Sequence, residues 1–212
     1  MKNGTYKAKS QGFHPAVTVT TTIENIDKLR KGDCMRLRQA EMKDFDRIIE
    51  ILKDGKNQLA ERGVDQWQGD YPSLDQIRED IEKGQAFLAV SQDNQTVGAI
   101  SIVKAPDHSY DQMTGKWLIQ TNDYVVIHRL AIHSDHAEHG YATKLFQEVI
   151  RQIYENHPQI KSIRIDTHED NKAMQHLIDK MDFTRVGTLH GVYCKGQISY
   201  VYEMITNSTK KN

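Results

Sequence analysis

Proton transfer and anion binding are the two kinds of chemistry that the side chains and spacings of this chain offer. His128 lies in the apolar run DYVVIHRLAIH, and an imidazole, with an unperturbed pKa of about 6.5, can take up a proton near neutrality. Asp166 and His168 close a second apolar run, KSIRIDTH, and could do similar work; a satisfied structural hydrogen bond is the other use of each of these three residues. Tyr193, Tyr200 and Tyr202 belong to the C-terminal runs and could donate a proton or simply pack in strands. The anion signal is His139-Gly140-Tyr141-Ala142, set between an apolar strand and an amphipathic helix. A strand that enters a helix through glycine aims several free N–H groups at one place, and the helix dipole adds to them. Gly140 would let a phosphate approach the backbone closely, and Ala142 is nearly as small. The same glycine suits an ordinary strand–helix connection, so taken alone it leaves both uses open. His128, His133, His136 and His139 raise the question of a metal. No HExxH occurs, since only Ala137 and Glu138 separate His136 from His139, and no metal is expected.

The elements that must position these groups can be read from the apolar periodicity. At Met35 the segment MRLRQ reads as a strand, followed by AEMKDFDRIIEILKDGKNQLAERG, where Phe45, Ile48, Ile49 and Leu52 fall at helical spacing. Ser73 caps a second helix, SLDQIREDIEKG, which Gly84 ends. AFLAVSQ and TVGAISIV flank a DNQ turn and form a hairpin. DYVVIHRLAIH is a long strand, and the helix HGYATKLFQEVIRQIYEN follows with Leu145, Phe146, Val149, Ile150 and Ile153 on one face. KSIRIDTH is the next strand, NKAMQHLIDKM a short helix, and FTRVGTLH with QISYVYEMI a closing pair. The expected order is β-α-α-β-β-β-α-β-α-β-β. That is an α/β (α+β) domain with a mixed, mostly antiparallel central sheet flanked by helices. The stretch GVDQWQGDYP joins the first two helices. Trp67 and Tyr71 within it could wall a pocket for an amine, or pack the helix pair against the sheet.

Residues 1–34 differ in character: they alternate apolar and polar residues, are rich in Thr and Val, and suggest a β-rich leader or fused hairpin turning at His14-Pro15. So short a hairpin buries no core alone. The expected domain spans residues 35–205, with a polar tail over 206–212. The formal net charge is -1, without the basic stripe of a nucleic-acid binder, and no apolar run reaches the length of a membrane span. Cys34 and Cys194 have no CxxC spacing and no secretory leader precedes them, which points to a reduced, cytoplasmic setting. The leader or an exposed closing strand could support a homodimer.

The run LAIHSDHAEHGYATKLF, with DNKAMQHLIDKMDF after the next strand, resembles the GCN5-related N-acetyltransferase (GNAT) family over residues 35–205. In that family the signature loop reads Arg/Gln-x-x-Gly-x-Gly/Ala and wraps the pyrophosphate of acetyl-CoA. Gly140 and Ala142 match its small positions, whereas Ala137 stands where Arg or Gln is usual. The resemblance implies that Glu138, His139, Gly140, Tyr141, Ala142 and Thr143 surround the pyrophosphate, mostly through backbone N–H groups. It implies that Leu130, Ala131 and Ile132 lend backbone groups to the pantetheine arm, which adds like an extra strand, and that Asn171 meets the cofactor. Asn171 could equally cap its helix, a role for which Asp170 competes. Met181-Asp182-Phe183 matches the family's x-Gly-Phe with Asp in place of Gly.

The same resemblance implies a GNAT-like acyl-CoA acyltransferase with acetyl-CoA as co-substrate, and places Trp67 and Tyr71 at its acceptor pocket. Two family residues do not carry over. The tyrosine seven residues after the Asn, which protonates the thiolate, is Ile178 here, and the glutamate of the histone-modifying branch aligns with Val126. His128, Asp166 and His168 remain as catalytic candidates. The expected acceptor is a small-molecule primary amine or an amino-acid-like compound rather than a histone. A non-catalytic acyl-CoA-binding or sensing module, favoured by Ile178 and Ala137, is the alternative. The start of the chain resembles the first hairpin of small flavin-mononucleotide-binding domains, through G-x-Y-x-A-x-x-x-G. A flavin-linked protein is a third reading, although the remainder of such a domain is missing.

Overall fold

Buried Ile48, Ile51, Leu52 and Leu59 recur at helical spacing along Phe45–Glu61 and make it an amphipathic helix, α1. The computed structural model describes residues 35–206 apart from Glu138, Val192 and Cys194. The expected leader, nearly all of the polar tail and both cysteines lie outside the described residues, as does the expected cofactor residue Glu138. Strand β1 is Arg36–Gln39; after α1 comes α2, Leu74–Glu82, where the Ser73 hydroxyl accepts from the Gln76 N–H as its N-cap. Strands β2 (Ala86–Val90) and β3 (Thr96–Lys104) form the expected hairpin. A two-residue strand β4, Thr114–Gly115, precedes β5, Tyr124–Ile132. Then follow α3 (Tyr141–Asn156), β6 (Ser162–His168), α4 (Lys172–Lys180), β7 (Thr184–His190) and β8 (Ile198–Ile205).

The strands form one eight-stranded sheet in the order β1-β2-β3-β5-β6-β8-β7-β4. Only β5 and β6 pair in parallel; the other pairs are antiparallel. The expected order lacks β4. Two residues carry no periodicity, and this strand exists because it lies against β7, where a Cβ on Gly187 would stand 2.7 Å from the Thr114 carbonyl oxygen.

One face of the sheet is covered by α3 and α4. Leu145, Phe146, Val149 and Ile150 pack there against Val125, Ile127, Ile163 and Ile165, each fully buried aliphatic or aromatic side chain contributing about 1.5–3 kcal/mol by leaving water. The opposite face takes α1 and α2, through Ile51, Leu52, Ile77 and Ile81 against Leu88, Ala99 and Ala131. Beside them a smaller cluster holds Tyr110, Tyr124, Val126, Leu189 and Val201. Among the described residues no helix is long and apolar enough to cross a membrane.

Ile178 is fully buried in the α3/α4 core and does not line the cavities described below. Adding a tyrosine there, which the family pattern would suggest as a gain, is therefore expected to overpack the core. Ile178→Tyr should cost about 1–3 kcal/mol of stability and not raise turnover. Thermal melts beside a thiol-release assay check this, and a faster, equally stable variant would refute it.

Candidate active site

Two irregularities in β5 and β6 create the site. The parallel pairing runs from Tyr124↔Ser162 to Ile127↔Ile165 and stops there. Beyond it β5 stays with β3, and β6 stays with β8 as far as His168↔Ser199, so the two strands part. At the same place β5 carries a bulge. Its register against β3 shifts between Ala99 and Ser101, and Arg129 adopts a left-handed φ of 53°. Strict alternation would send Arg129 toward α3. The extra residue instead turns it to the α1/α2 face beside His128, where its guanidinium meets Asp80 of α2. Past the bulge, Leu130 and Ile132 again pack on the α3 side and Ala131 on the α1 side.

A cavity of about 370 Å³ opens along this parting, walled by β5 from Ile127 to Ile132, by Gly140, Tyr141 and Ala142, and by Asn171, Met174 and Leu177 of the α4 region. Gly140 is the N-cap of α3 with φ 67°, no side chain caps the helix, and a Cβ at Gly140 would meet nothing within 4 Å. The loop thus exposes the first-turn N–H groups of a sixteen-residue helix to open space, an arrangement suited to a phosphate. Of the expected cofactor residues, Leu130, Ala131, Ile132, Gly140, Tyr141, Ala142 and Asn171 line this cavity, whereas His139 and Thr143 do not. Arg62, which the sequence did not single out, lines it too, as does His136, which the sequence raised only in connection with a metal. Asn171 caps α4, its side chain accepting from the Met174 N–H at 3.1 Å while its amide donates to Gln66 Oε1 at 2.8 Å.

A second cavity, about 30 Å³, abuts the first and shares Gln66, Trp67, His128 and Arg129 with it. Its chemistry centres on two carboxylates. His128 Nε2 lies 2.7 Å from Asp107 Oδ2, both side chains about one-tenth exposed. Burial pushes the Asp107 carboxyl up, but the hydrogen bond and charge of His128, with Ser109, outweigh it and hold the group well below the usual carboxylate range. Asp166 accepts hydrogen bonds from Tyr110 at 3.0 Å and Tyr193 at 2.9 Å. Burial raises its carboxyl above the ordinary value, opposed by the charge of His128 and by the two hydroxyls. Both tyrosines are pushed well above the usual phenol value, by burial first and then by Asp166, so they act here as donors.

Tyr71 lies 5.1 Å from the Tyr193 ring and receives a 2.7 Å hydrogen bond from Arg129 Nη1; burial pushes its hydroxyl up to about 12. Trp67 and Tyr71 line the smaller cavity, and Trp67 also packs against the core under α1 and α2. His168 is buried on the same wall. Its Nδ1 accepts the Asp170 N–H at 3.1 Å, a turn-forming bond. Tyr193 stands in the β7–β8 connection rather than in a closing strand. Tyr200 lies under the Arg185 guanidinium, and Tyr202 packs in the α3/α4 core. Asp107 and Tyr110 escaped sequence reading because their loop has no periodicity; only its length between β3 and β5 hinted at a use.

Two parallel strands thus part beside a helix start that no side chain caps. The model of the acetyltransferase (GNAT) family matches residues 46–183, and the chain belongs to that family: it is an acyl-CoA-dependent N-acyltransferase. Its fold is that of an acetyltransferase of the GNAT family from Streptococcus agalactiae, with 28% identity, TM-score 0.70, and coverage of 82% of this chain and 96% of that one. A GNAT acetyltransferase from Listeria monocytogenes superposes with TM-score 0.65 at 20% identity, over 81% and 95% of the two chains. Spermidine N-acetyltransferase from Vibrio cholerae, in complex with CoA and spermine, superposes with TM-score 0.59 at 14% identity, over 82% and 96%. No curated protein sequence matches the chain.

Proposed function

We propose that this enzyme moves the acetyl group of acetyl-CoA onto the primary amine of a small acceptor. The larger cavity takes the cofactor and the smaller one the amine. The observation that carries the proposal is the shared wall: the cavities meet at His128, where β5 and β6 part, so a thioester and an amine can come together there. In this reading the N–H groups at Gly140 to Ala142 hold the pyrophosphate. The β5 edge freed from β6 pairs with the pantetheine arm, and N–H groups beyond the bulge face the thioester oxygen. Asp107 holds the Nε2–H of His128, leaving Nδ1 to accept the proton of the attacking amine. The N–C bond forms, the C–S bond breaks, and His128 passes its proton to the departing sulfur. An alkyl thiol titrates near about 8.5, so the thiolate leaves readily and no tyrosine at position 178 is needed. His168 shapes the wall without touching the reacting atoms. The cytoplasmic setting suggested by the cysteine pattern belongs to the same reading.

Isothermal titration with acetyl-CoA and with free CoA, followed by thiol release with an amine panel, tests the assignment. Gly140→Val is expected to weaken binding about a hundredfold or more, because a branched Cβ occupies the phosphate's approach. It should lower stability by only about 1–2 kcal/mol, the cost of the left-handed backbone. Unchanged affinity would refute the cradle. We further propose that residues 35–205 are a self-sufficient domain, since the eight-stranded sheet and the cores on both its faces close among them. Removal of residues 1–34 should leave cooperative melting and cofactor binding in place, and loss of either would make the leader integral.

A further inference from the structure

We infer that the acceptor presents a slim, unbranched alkylammonium head with no carboxylate on the amine-bearing carbon. This rests on the transferase reading above and narrows it. The cavity beyond His128 is narrow, about 30 Å³ against about 370 Å³ for the one it adjoins, so an unbranched ammonium head fits it more readily than a branched one. Trp67, Tyr71 and Tyr193 present aromatic surface to it, which suits a cation. Asp166 lines it, buried and hydrogen-bonded by two tyrosine hydroxyls, so a cation arriving there meets a buried acid whose hydrogen-bond donors are neutral.

Among the residues lining this cavity, a carboxylate arriving beside the amine meets one guanidinium and no lysine. Arg129 is the guanidinium in the wall, and each of its nitrogens is engaged: Nη2 with Asp80 at 2.7 Å, Nη1 with Tyr71 at 2.7 Å and Nε with Ser101 at 3.1 Å. The imidazole of His128 is held by Asp107. An α-carboxylate would therefore lie against Asp166 in the cavity wall, a like-charge arrangement that discriminates strongly. This selects against the amino-acid-like acceptors that the sequence left open.

The test uses the full chain and three matched amines: n-butylamine, 2-aminopentane, which adds a methyl on the amine carbon, and norvaline, which adds a carboxylate there. With saturating acetyl-CoA, thiol release should show kcat/KM for n-butylamine about a hundredfold above norvaline and about tenfold above 2-aminopentane. Asp166→Asn should raise KM for n-butylamine about tenfold or more, and the unaltered chain answers the question even if that variant is unstable. Norvaline or 2-aminopentane used as well as n-butylamine would overturn the inference while leaving the transferase reading intact. If acetyl-CoA binds but no amine releases thiol, the transferase reading falls instead. The inference is then decided by titrating CoA-saturated protein with n-butylammonium and norvaline: selective binding of the former supports it, and equal or absent binding overturns it.

Discussion

Replacing Asp107 by asparagine is expected to lower kcat by about 10²- to 10⁴-fold while leaving the affinity for acetyl-CoA unchanged. Asp107 does not line the larger cavity; its contact with the site is His128, 2.7 Å away. An asparagine can donate to Nε2 and so stabilise the wrong tautomer, which puts the proton on the nitrogen that must accept one. The double variant Asp107→Asn/His128→Gln should lose no more activity than His128→Gln alone, because the two residues work as one unit. Losses that multiply would remove the pair from the mechanism. The pH dependence of stability has a definite sign. The folded-state pKa of Asp107 is depressed, so its ionised form adds stability above its ordinary value, and this contribution fades as pH falls toward the folded value. The melting temperatures of wild type and Asp107→Asn should therefore differ most near neutrality and converge in acid.

Arg129→Met should be the most destabilising of the single changes considered. Arg129 and Asp80 are 5% and 3% exposed at their side chains and 2.7 Å apart. Removing the guanidinium leaves Asp80 buried with two neutral donors, the Ser101 hydroxyl at 2.7 Å and the Gln76 amide at 3.1 Å, and such unpaired buried charges cost about 3–5 kcal/mol. Melting should fall by roughly 6–20 °C for a domain of this size. The double change Arg129→Met/Asp80→Leu removes both charges and should recover much of the loss; no recovery would place the effect in the bulge rather than in the ion pair. Because Arg129 also donates to Tyr71, the single variant should bind amines poorly as well.

Much of the fold was legible because burial imposes period. The apolar spacing of α1 and α3, the Ser73 cap, the β2–β3 hairpin and the mixed sheet are local consequences of which residues leave water. The glycine at the start of α3 was legible for the same kind of reason, and it does stand at a helix start that no side chain caps. Gln66 was not legible. Its side chain reaches Asn171 at 2.8 Å and Thr167 at 3.2 Å, about a hundred residues away along the chain, and so ties the α1–α2 connection to both cavities. The surroundings of His128 were half legible: the residue type suggested proton transfer, but its partner Asp107 lies in an aperiodic loop.

By itself, then, the sequence determined the order of elements, the helix that begins at a bare glycine and the membership of His128 and Asp166 in strands of one sheet. Those follow from interactions within a few residues. Tertiary structure decided which face the chemistry occupies. One extra residue at Arg129 reverses the alternation of β5 and sets two consecutive side chains on the α1/α2 face, and the end of pairing at Ile127 and Ile165 opens the gap that they flank. A bulge and a parting of strands depend on what the neighbouring strands pair with, and that information lies in contacts distant along the chain rather than in the local pattern.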